Sequence, residues 1–302
     1  MFYIKELFMK RKIHDMKKFW SLYLFIGVFG VLSLVFGIYP LAKSIMLSFH
    51  DSATVFTNPR FIGMENYLEI FGDSYFWDSF QVTIFFTAVS VVINLVAALG
   101  LAQLLSYKGV KRGALFFKLA VFIPFITPDV VGALVWKQFF NTNGALNQLL
   151  GIFGFASVNW LNEASSAVGA LIFIELWKHV GLYTIIFLTN YQLIDTTMYE
   201  AAGIDGANAW QRYQYITLPA LRPAFVLNAV YAFIQFMKTY SVSRLITFGG
   251  PNYATNFVSY YAYTKYERMD FGEATAIATV LFAFIIILTL VGMKMGDSGN
   301  EN

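Results

Sequence analysis

The chain has 302 residues, of which 58% are hydrophobic, 19% aromatic and only 13% charged, and its formal net charge is +3. Soluble globular chains carry about a quarter charged residues, so this composition excludes a water-soluble or disordered chain, and the small net charge excludes a nucleic-acid-binding protein. The absence of Cys excludes disulfides, thiol catalysis and Cys-ligated metal sites.

Six long apolar runs follow one another along the chain, and each is close to the roughly 20 residues that a membrane helix needs. The first run is longer than the core of a signal peptide, so it predicts a retained helix. The runs are continuous and do not alternate, which favours helices over a β-barrel. The sequence therefore predicts an all-α membrane protein with about six transmembrane helices, at 20–39, 81–106, 115–140, 167–189, 224–247 and 273–293.

Most of the basic residues fall on one side of the predicted membrane. Short cytoplasmic loops retain Lys and Arg, so this side is predicted to be cytoplasmic, together with a basic N-terminal arm (1–19) and a C-terminal tail (294–302). The loop at 41–79 is predicted to face outward. The cytoplasmic basic residues are Lys5, Lys10, Arg11, Lys12, Lys17, Lys18, Lys108, Lys111, Arg112, Lys118, Arg212, Arg222 and Lys294.

The predicted cytoplasmic loop at 191–223 is much longer than an ordinary connection between helices. Its pattern predicts two short helices separated by a turn at Asp205 and Gly206, because Gly tolerates positive φ. Small residues beside Glu200 leave a shallow surface that a partner can approach. This unit is predicted to be a docking element.

The motif in this loop resembles the EAA loop of binding-protein-dependent ABC importer permeases. It consists of Glu200, Ala201, Ala202, Gly206 and, after nine further residues, Ile216, Leu218 and Pro219. Further positions are similar to the carbohydrate subfamily, with its maltose-type and glycerol-phosphate-type permeases. The resemblance covers about residues 20–293 and includes Gly144, Leu146, Asn147, Leu150, Gly154, Trp160, Leu161, Trp177, Gly181, the segments 199–202 and 204–207, and 249–251.

The resemblance implies a type I ABC importer permease core in the cytoplasmic (inner) membrane of a prokaryote. It also implies a second homologous permease, two ATPase subunits that bind ATP and Mg²⁺, and an extracytoplasmic solute-binding protein. In the family the EAA loop is the coupling helix, so Glu200 would pair with a basic residue of the ATPase and Gly206 would permit the bend. The alternative for Glu200 is that it only caps or solvates a surface helix.

The residues themselves also indicate that transport and ATP hydrolysis are carried out by separate chains. A P-loop needs a Gly-Lys pair to cradle phosphates, and the sequence has none, so energy is expected from another chain. The few His residues form no metal-ligand or catalytic pattern. We therefore expect a transport subunit that is not itself an enzyme and holds no cofactor or metal.

The fourth predicted span carries an unusual polar group, Glu175, Trp177, Lys178 and His179. Charged residues at membrane depth cost about 2.5–3.5 kcal/mol on insertion scales and usually face a cavity or a partner. Glu175 is three residues before Lys178 and four before His179, so the three can meet on one helix face. Two interpretations remain open, an internal Glu175–Lys178 ion pair and a substrate site.

A sugar site would need hydrogen-bonding groups for hydroxyls and aromatic faces for C–H surfaces. The fifth span adds Gln235, Lys238, Thr239 and Tyr240, and in the family the fourth and fifth helices tend to form the sugar site. A neutral or mildly acidic oligosaccharide is the predicted cargo. The alternatives are an anionic saccharide or sugar phosphate, attracted by the basic residues, and a proton-coupled secondary transporter that uses Glu175 and His179 as a relay.

Two further residues are singled out. Asp129, beside the helix-breaking Pro128, is expected to neutralise Lys137 or a residue of the partner permease. Phe248 stands before Gly249 where the family pattern has a small residue.

Overall fold

The computed structural model describes residues 19–51, 60–106 and 114–297. Within these ranges the chain is helical, apart from connections and one isolated bridge between His50 and Phe61. The predicted basic arm (except Phe19), Lys108, Lys111, Arg112 and the end of the predicted tail lie outside them. The cytoplasmic location of both termini therefore stays a prediction.

The first predicted span is longer than expected. Helix α1 (Trp20–Ser33) continues through a π-helical turn (Leu34–Ile38) into α2 (Tyr39–Leu47). Pro40 directly follows the predicted span of 20–39, but it does not end the helix; it lies in the first turn of α2, directly after the wide turn, where a residue without an N–H is tolerated. The outward loop predicted to begin at residue 41 therefore begins only after Leu47.

The remaining helices follow in chain order, with a π-helical turn (Tyr213–Thr217) between α10 and α11. They are α3 (Glu65–Gly72), α4 (Ser74–Ser106), α5 (Ala114–Ile126), α6 (Asp129–Phe139), α7 (Ala145–Ile152), α8 (Ala164–Tyr191), α9 (Thr196–Ile204), α10 (Ala209–Arg212), α11 (Leu218–Ala220), α12 (Arg222–Met237), α13 (Val258–Glu267) and α14 (Phe271–Asp297).

Four helical stretches of the described chain are long and apolar enough to cross a membrane, Leu22–Leu47, Ser74–Ser106, Ala164–Tyr191 and Phe271–Lys294. Two bent pairs could each supply a further span: α5 and α6 meet at 99°, and the stretch Ala209–Ala220 meets α12 at 60°. The prediction of an all-helical membrane fold with about six spans is confirmed.

Two of the predicted spans are broken. The third breaks between α5 and α6, as expected from Pro128, because Thr127 precedes this proline and is pushed out of the helical region. The fifth prediction, one helix over 224–247, is wrong. Helix α12 ends at Met237, residues 238–240 are not helical, and the chain becomes helical again at 241–242 before a π-helical turn at Ser243–Thr247. Irregular backbone at membrane depth is tolerated where it lines a cavity, and this segment does so.

The centre of the bundle is the contact between α4 and α8. Small and polar residues recur every three or four positions along α4, which lets neighbouring backbones approach closely. These buried residues are Ser79, Thr83 and Thr87, followed by Ser90, Asn94, Ala98 and Ala102. Thr83 also ties α4 to the start of α13, since its Oγ1 accepts from the N–H of Val258 at 2.9 Å.

Gly181 marks the closest approach of two helices. A Cβ atom added to it would lie 2.0 Å from the carbonyl oxygen of Val121 on α5. We expect Gly181→Ala to lower the free energy of unfolding by about 2 kcal/mol, since overpacking typically costs about 1–3 kcal/mol. The measurement is thermal unfolding of the detergent-solubilised protein, with its yield in membranes.

Gly169 on the same helix provides the matched control, because an added Cβ there meets no atom within 4 Å. Gly169→Ala makes the same change in helix propensity without the clash. Equal stability of the two variants would contradict the proposed helix contact.

Candidate functional site

A cavity of about 290 Å³ lies where the two broken spans meet the middle of α8. All of the residues predicted to form the substrate pathway line it. We call it the inner cavity; its lining comprises Asp129, Gly132, Ala133, Ile174, Glu175, Trp177, Lys178, His179, Gln235, Lys238, Thr239, Tyr240, Ser241 and Val242. Two segments distant in sequence, α8 and the end of α12, are thus brought together.

Glu175 and His179 form a buried pair on one wall of the inner cavity. Their exposed fractions are 6% and 4%, and His179 Nδ1 lies 3.0 Å from Glu175 Oε2 and 3.1 Å from the Glu175 carbonyl oxygen. Both oxygens are acceptors, so Nδ1 carries the hydrogen and Nε2 is the nitrogen left for another partner. The i,i+4 spacing on α8 explains why these two side chains meet.

Lys178 connects α8 with the wall of the inner cavity that the break between α5 and α6 forms. It forms an ion pair with Asp129, and its Nζ donates to the carbonyl oxygen of Thr127 at 3.3 Å. That carbonyl belongs to the break between α5 and α6, where the helix supplies no donor. Ser241 Oγ also donates to Asp129 Oδ2 at 3.2 Å. Lys178 therefore ties α8 to the break, and Asp129 ties both to the segment after α12.

The structure forms neither of the two ion pairs within this chain that the sequence left as alternatives, Glu175 with Lys178 and Asp129 with Lys137. Glu175 pairs with His179 and not with Lys178, because Lys178 reaches across to α6. Asp129 pairs with Lys178 and not with Lys137, whose Nζ donates to the carbonyl oxygen of Leu245 at 3.0 Å.

Aromatic rings form part of the lining. The Trp177 ring lies over Gly132, 3.4 Å from the position of an added Cβ, and packs edge-on against Trp136 with centroids 5.5 Å apart. Tyr240 packs near Tyr263, with centroids 4.9 Å apart. The inner cavity thus presents flat apolar faces beside polar groups.

Lys238 is the cation of the cavity that remains exposed. It caps the C-terminus of α12, where the helix breaks, and it forms no ion pair with any residue in the described ranges. Gln235 lies one turn earlier and is half-buried, and Thr239 is buried.

Gly132 and Ser241 were missed by sequence reasoning, and Asp129 was assigned a different partner. The sequence signal for a role of Asp129 was a carboxylate placed directly after the helix-breaking Pro128. No local pattern marks Gly132 or Ser241, since their position depends on the way two breaks face each other. Within the described ranges, no three His, Asp or Glu side chains are arranged to hold a metal ion.

The predicted docking element at 191–223, called the docking unit below, contains two short helices, α9 and α10, with well-defined N-termini. Asp195 caps α9 by accepting from Thr197 N–H, and this bond, with one from the Thr197 side chain, lowers the pKa of the Asp195 carboxyl. Asn208 and Gln211 form a reciprocal capping box at α10. Tyr199 and Thr217 hydroxyls, 2.8 Å apart, join the two arms of the unit.

The turn between the arms depends on Gly206. Its φ is +77°, and the N–H of Ala207 reaches back to the carbonyl oxygen of Ala202 at 2.9 Å, which is the Schellman arrangement. Both the break at Asp205 and Gly206 and the positive φ were predicted. Gly206 has open space around it, so only its backbone conformation demands glycine.

The surface of this unit is exposed and partly apolar. Ile204 is 89% exposed and Trp210 66% exposed, on either side of the turn. Glu200, Ala201, Asp205, Gly206 and Pro219 are exposed, while Ala202, Ile216 and Leu218 are half-buried. Exposed apolar residues that cluster with polar ones mark a contact surface.

Comparison with known proteins gives consistent matches. Residues 98–297 match the family described as binding-protein-dependent transport system inner membrane component. The chain is 33% identical to the trehalose/maltose transport system permease protein MalF of Thermococcus litoralis, over 87% of this chain and 89% of that protein. It is 30% identical to the sn-glycerol-3-phosphate transport system permease protein UgpA of Salmonella choleraesuis, over 92% and 95%.

The fold also matches a solved structure. A chain of a bacterial alginate ABC transporter, in complex with an alginate pentasaccharide-bound periplasmic protein, superposes with a TM-score of 0.79 at 21% identity. The match covers 93% of this chain and 96% of that chain.

Proposed function

Since the chain belongs to the family of binding-protein-dependent transport system inner membrane components, and is thus a multi-pass permease of an ABC importer, we propose that its cargo is a sugar or oligosaccharide. The relatives named for trehalose/maltose and for glycerol phosphate support this class of cargo. The observation that carries the proposal is the composition of the inner cavity.

The inner cavity has the groups that a sugar requires. Trp177 and Tyr240 offer ring faces for the C–H surfaces of a pyranose, and Gln235, Glu175 and His179 offer hydrogen-bonding groups for hydroxyls. Since these residues come from α8, α12 and the break after α12, a rearrangement of the broken spans would open or close the cavity.

An acidic saccharide or sugar phosphate is the second candidate, and exposed Lys238 favours it. For such a cargo, Lys238→Gln is expected to raise the KM of uptake at least about tenfold, because a hydrogen bond to a charged group contributes about 1.5–3 kcal/mol. Uptake of trigalacturonate and of maltotriose by reconstituted transporter measures this, with Lys238→Arg as the charge-preserving control. An unchanged KM for the acidic trisaccharide would favour the neutral cargo.

The docking unit is proposed to couple this cavity to separate ATPase subunits that bind ATP and Mg²⁺. Its exposed apolar surface around the Gly206 turn supports this, as does exposed Glu200, which forms no ion pair within the described chain. A second homologous permease and a solute-binding protein would complete the importer. The solved complex with a periplasmic protein supports the latter partner.

The orientation is proposed from the basic residues, with both termini and the docking unit in the cytoplasm. The loop after α12 lies at the other end of that helix and would then face outward.

Copurification tests the proposed assembly. Affinity purification of this chain in mild detergent is expected to recover a second permease and an ATPase subunit. Recovery of the chain alone, under conditions where the chain remains folded, would contradict the proposed assembly with a second permease and separate ATPase subunits.

A further inference from the structure

A second cavity, of about 490 Å³, lies at the end of the bundle opposite the docking unit. We call it the loop cavity, because the segment 248–257 between the π-helical turn and α13 forms much of its wall. Its lining includes Tyr75, Phe248, Tyr253, Asn256, Tyr260 and Arg268. Nothing in the proposed coupling or the inner cavity uses these residues.

The loop cavity presents aromatic rings that remain open. Tyr75 and Tyr253 are 48% and 55% exposed, with ring centroids 5.1 Å apart and planes inclined by 56°. Phe248 is 56% exposed, and Lys137 Nζ lies 4.8 Å from its ring centroid. Large exposed rings that converge on one cavity are suited to stacking with a ligand.

The loop that carries the rings of Phe248 and Tyr253 has backbone conformations that are energetically unfavourable for these residues. Phe248, Asn252 and Tyr253 have φ values of 53°, 48° and 59°, which non-glycine residues seldom adopt. Such conformations persist only where the surroundings fix them, and they concentrate at functional sites.

Buried Thr255 fixes this loop. Its hydroxyl donates to the carbonyl oxygen of Gly250 at 2.7 Å, and its own carbonyl oxygen accepts from Ser243 Oγ at 2.6 Å. The rings of Phe248 and Tyr253 are therefore presented by a preorganised loop, which reduces the entropy that a ligand loses on binding.

Polar groups complete the cavity and position Tyr75. Asp73 Oδ1 accepts from the backbone N–H of Tyr75 at 2.9 Å, and Asp73 also accepts from the Tyr261 hydroxyl. Burial, together with this bond, raises the pKa of Tyr261, so its hydroxyl stays protonated and donates. The exposed guanidinium of Arg268 adds donors for hydroxyl oxygens.

Aromatic rings connect the loop cavity with the inner cavity. Tyr260 lines the former, and its ring centroid lies 6.3 Å from that of Tyr240, which lines the latter. We infer that the loop cavity is a second saccharide subsite, from which the sugar passes along Tyr260 and Tyr240 to the inner cavity. This inference rests on the proposed sugar cargo.

The test compares the double variant Tyr75→Ala/Tyr253→Ala with wild type in vesicles that contain the complete importer. The probes are maltotriose and trigalacturonate, each loaded on the solute-binding protein. We expect the KM for the transported probe to rise about tenfold, because stacking on an aromatic ring contributes about 0.5–1.5 kcal/mol per pair. Tyr75→Phe/Tyr253→Phe should keep the wild-type KM, since the ring faces remain.

Two further measurements distinguish the possible outcomes of this test. Tyr39→Ala is the control, because Tyr39 is 61% exposed and lies outside both cavities. Affinity for the sugar-free binding protein should be the same in all variants, and a loss there would show that the rings bind protein instead of sugar. Normal uptake by the double Ala variant would overturn the subsite alone, whereas absence of saccharide uptake by wild type would overturn the proposed function as well.

Discussion

Gly206→Pro is expected to abolish sugar uptake while leaving the membrane-spanning bundle assembled. The native φ of +77° is inaccessible to Pro, whose ring fixes φ near −65°, and the change also removes the Gly206 N–H that bonds to the Gly203 carbonyl oxygen. The two arms of the docking unit would then meet at a different angle. The proposed ATPase would no longer transmit its movement to α12, so ATP hydrolysis would proceed without uptake.

The ratio of sugar transported to ATP hydrolysed in reconstituted vesicles measures this uncoupling. Gly206→Asn is the matched control, because Asn adopts the left-handed conformation with little strain and the position has free space around it. Glu200→Lys should uncouple in the same way, because it places a like charge opposite the basic residue expected on the ATPase. Coupled transport by Gly206→Pro would contradict the role given to this turn.

Lys178→Met should reduce maximal uptake by at least about tenfold. Lys178 is the side chain that joins α8 to Asp129 and to the Thr127 carbonyl across the break in the third span. Removing it leaves the Asp129 carboxylate without its cation, with only the Ser241 hydroxyl as a donor, and leaves the Thr127 carbonyl without the Lys178 donor. The break and the start of α6 would then lose their anchor on α8.

A charge exchange distinguishes this anchor from a general loss of packing. Lys178→Asp combined with Asp129→Lys restores the ion pair and should recover part of the uptake that either single variant loses. Monodispersity in detergent checks that the variants remain folded. If the double variant is no better than the single ones, the ion pair is not what holds the site.

The sequence predicted the helices and much of the inner cavity for local reasons. The order and approximate extent of the spans follow from continuous apolar runs. The meeting of Glu175 with His179 follows from helical spacing, and the Gly206 turn follows from a residue that accepts positive φ. Each of these depends on neighbours within a few residues.

Long-range contacts could not be predicted in the same way. One of the two interpretations left open by the sequence paired Lys178 with Glu175, yet Lys178 reaches a residue almost fifty positions away that the break in the third span brings close. The end of α12 at Met237 carries no Pro or Gly signal. The irregular segment after it lies where a cavity accommodates the freed backbone groups, and this is known only once α6 and α8 are in place.

Uptake in reconstituted vesicles tests the central claim most directly. The chain is purified with its partners, placed in vesicles with enclosed ATP and supplied with a sugar-loaded solute-binding protein. We expect uptake that requires ATP and the binding protein and persists when an ionophore collapses the proton gradient. Uptake that stops with the proton gradient and continues without ATP would contradict the account, and would favour a secondary transporter that uses Glu175 and His179 as a proton relay.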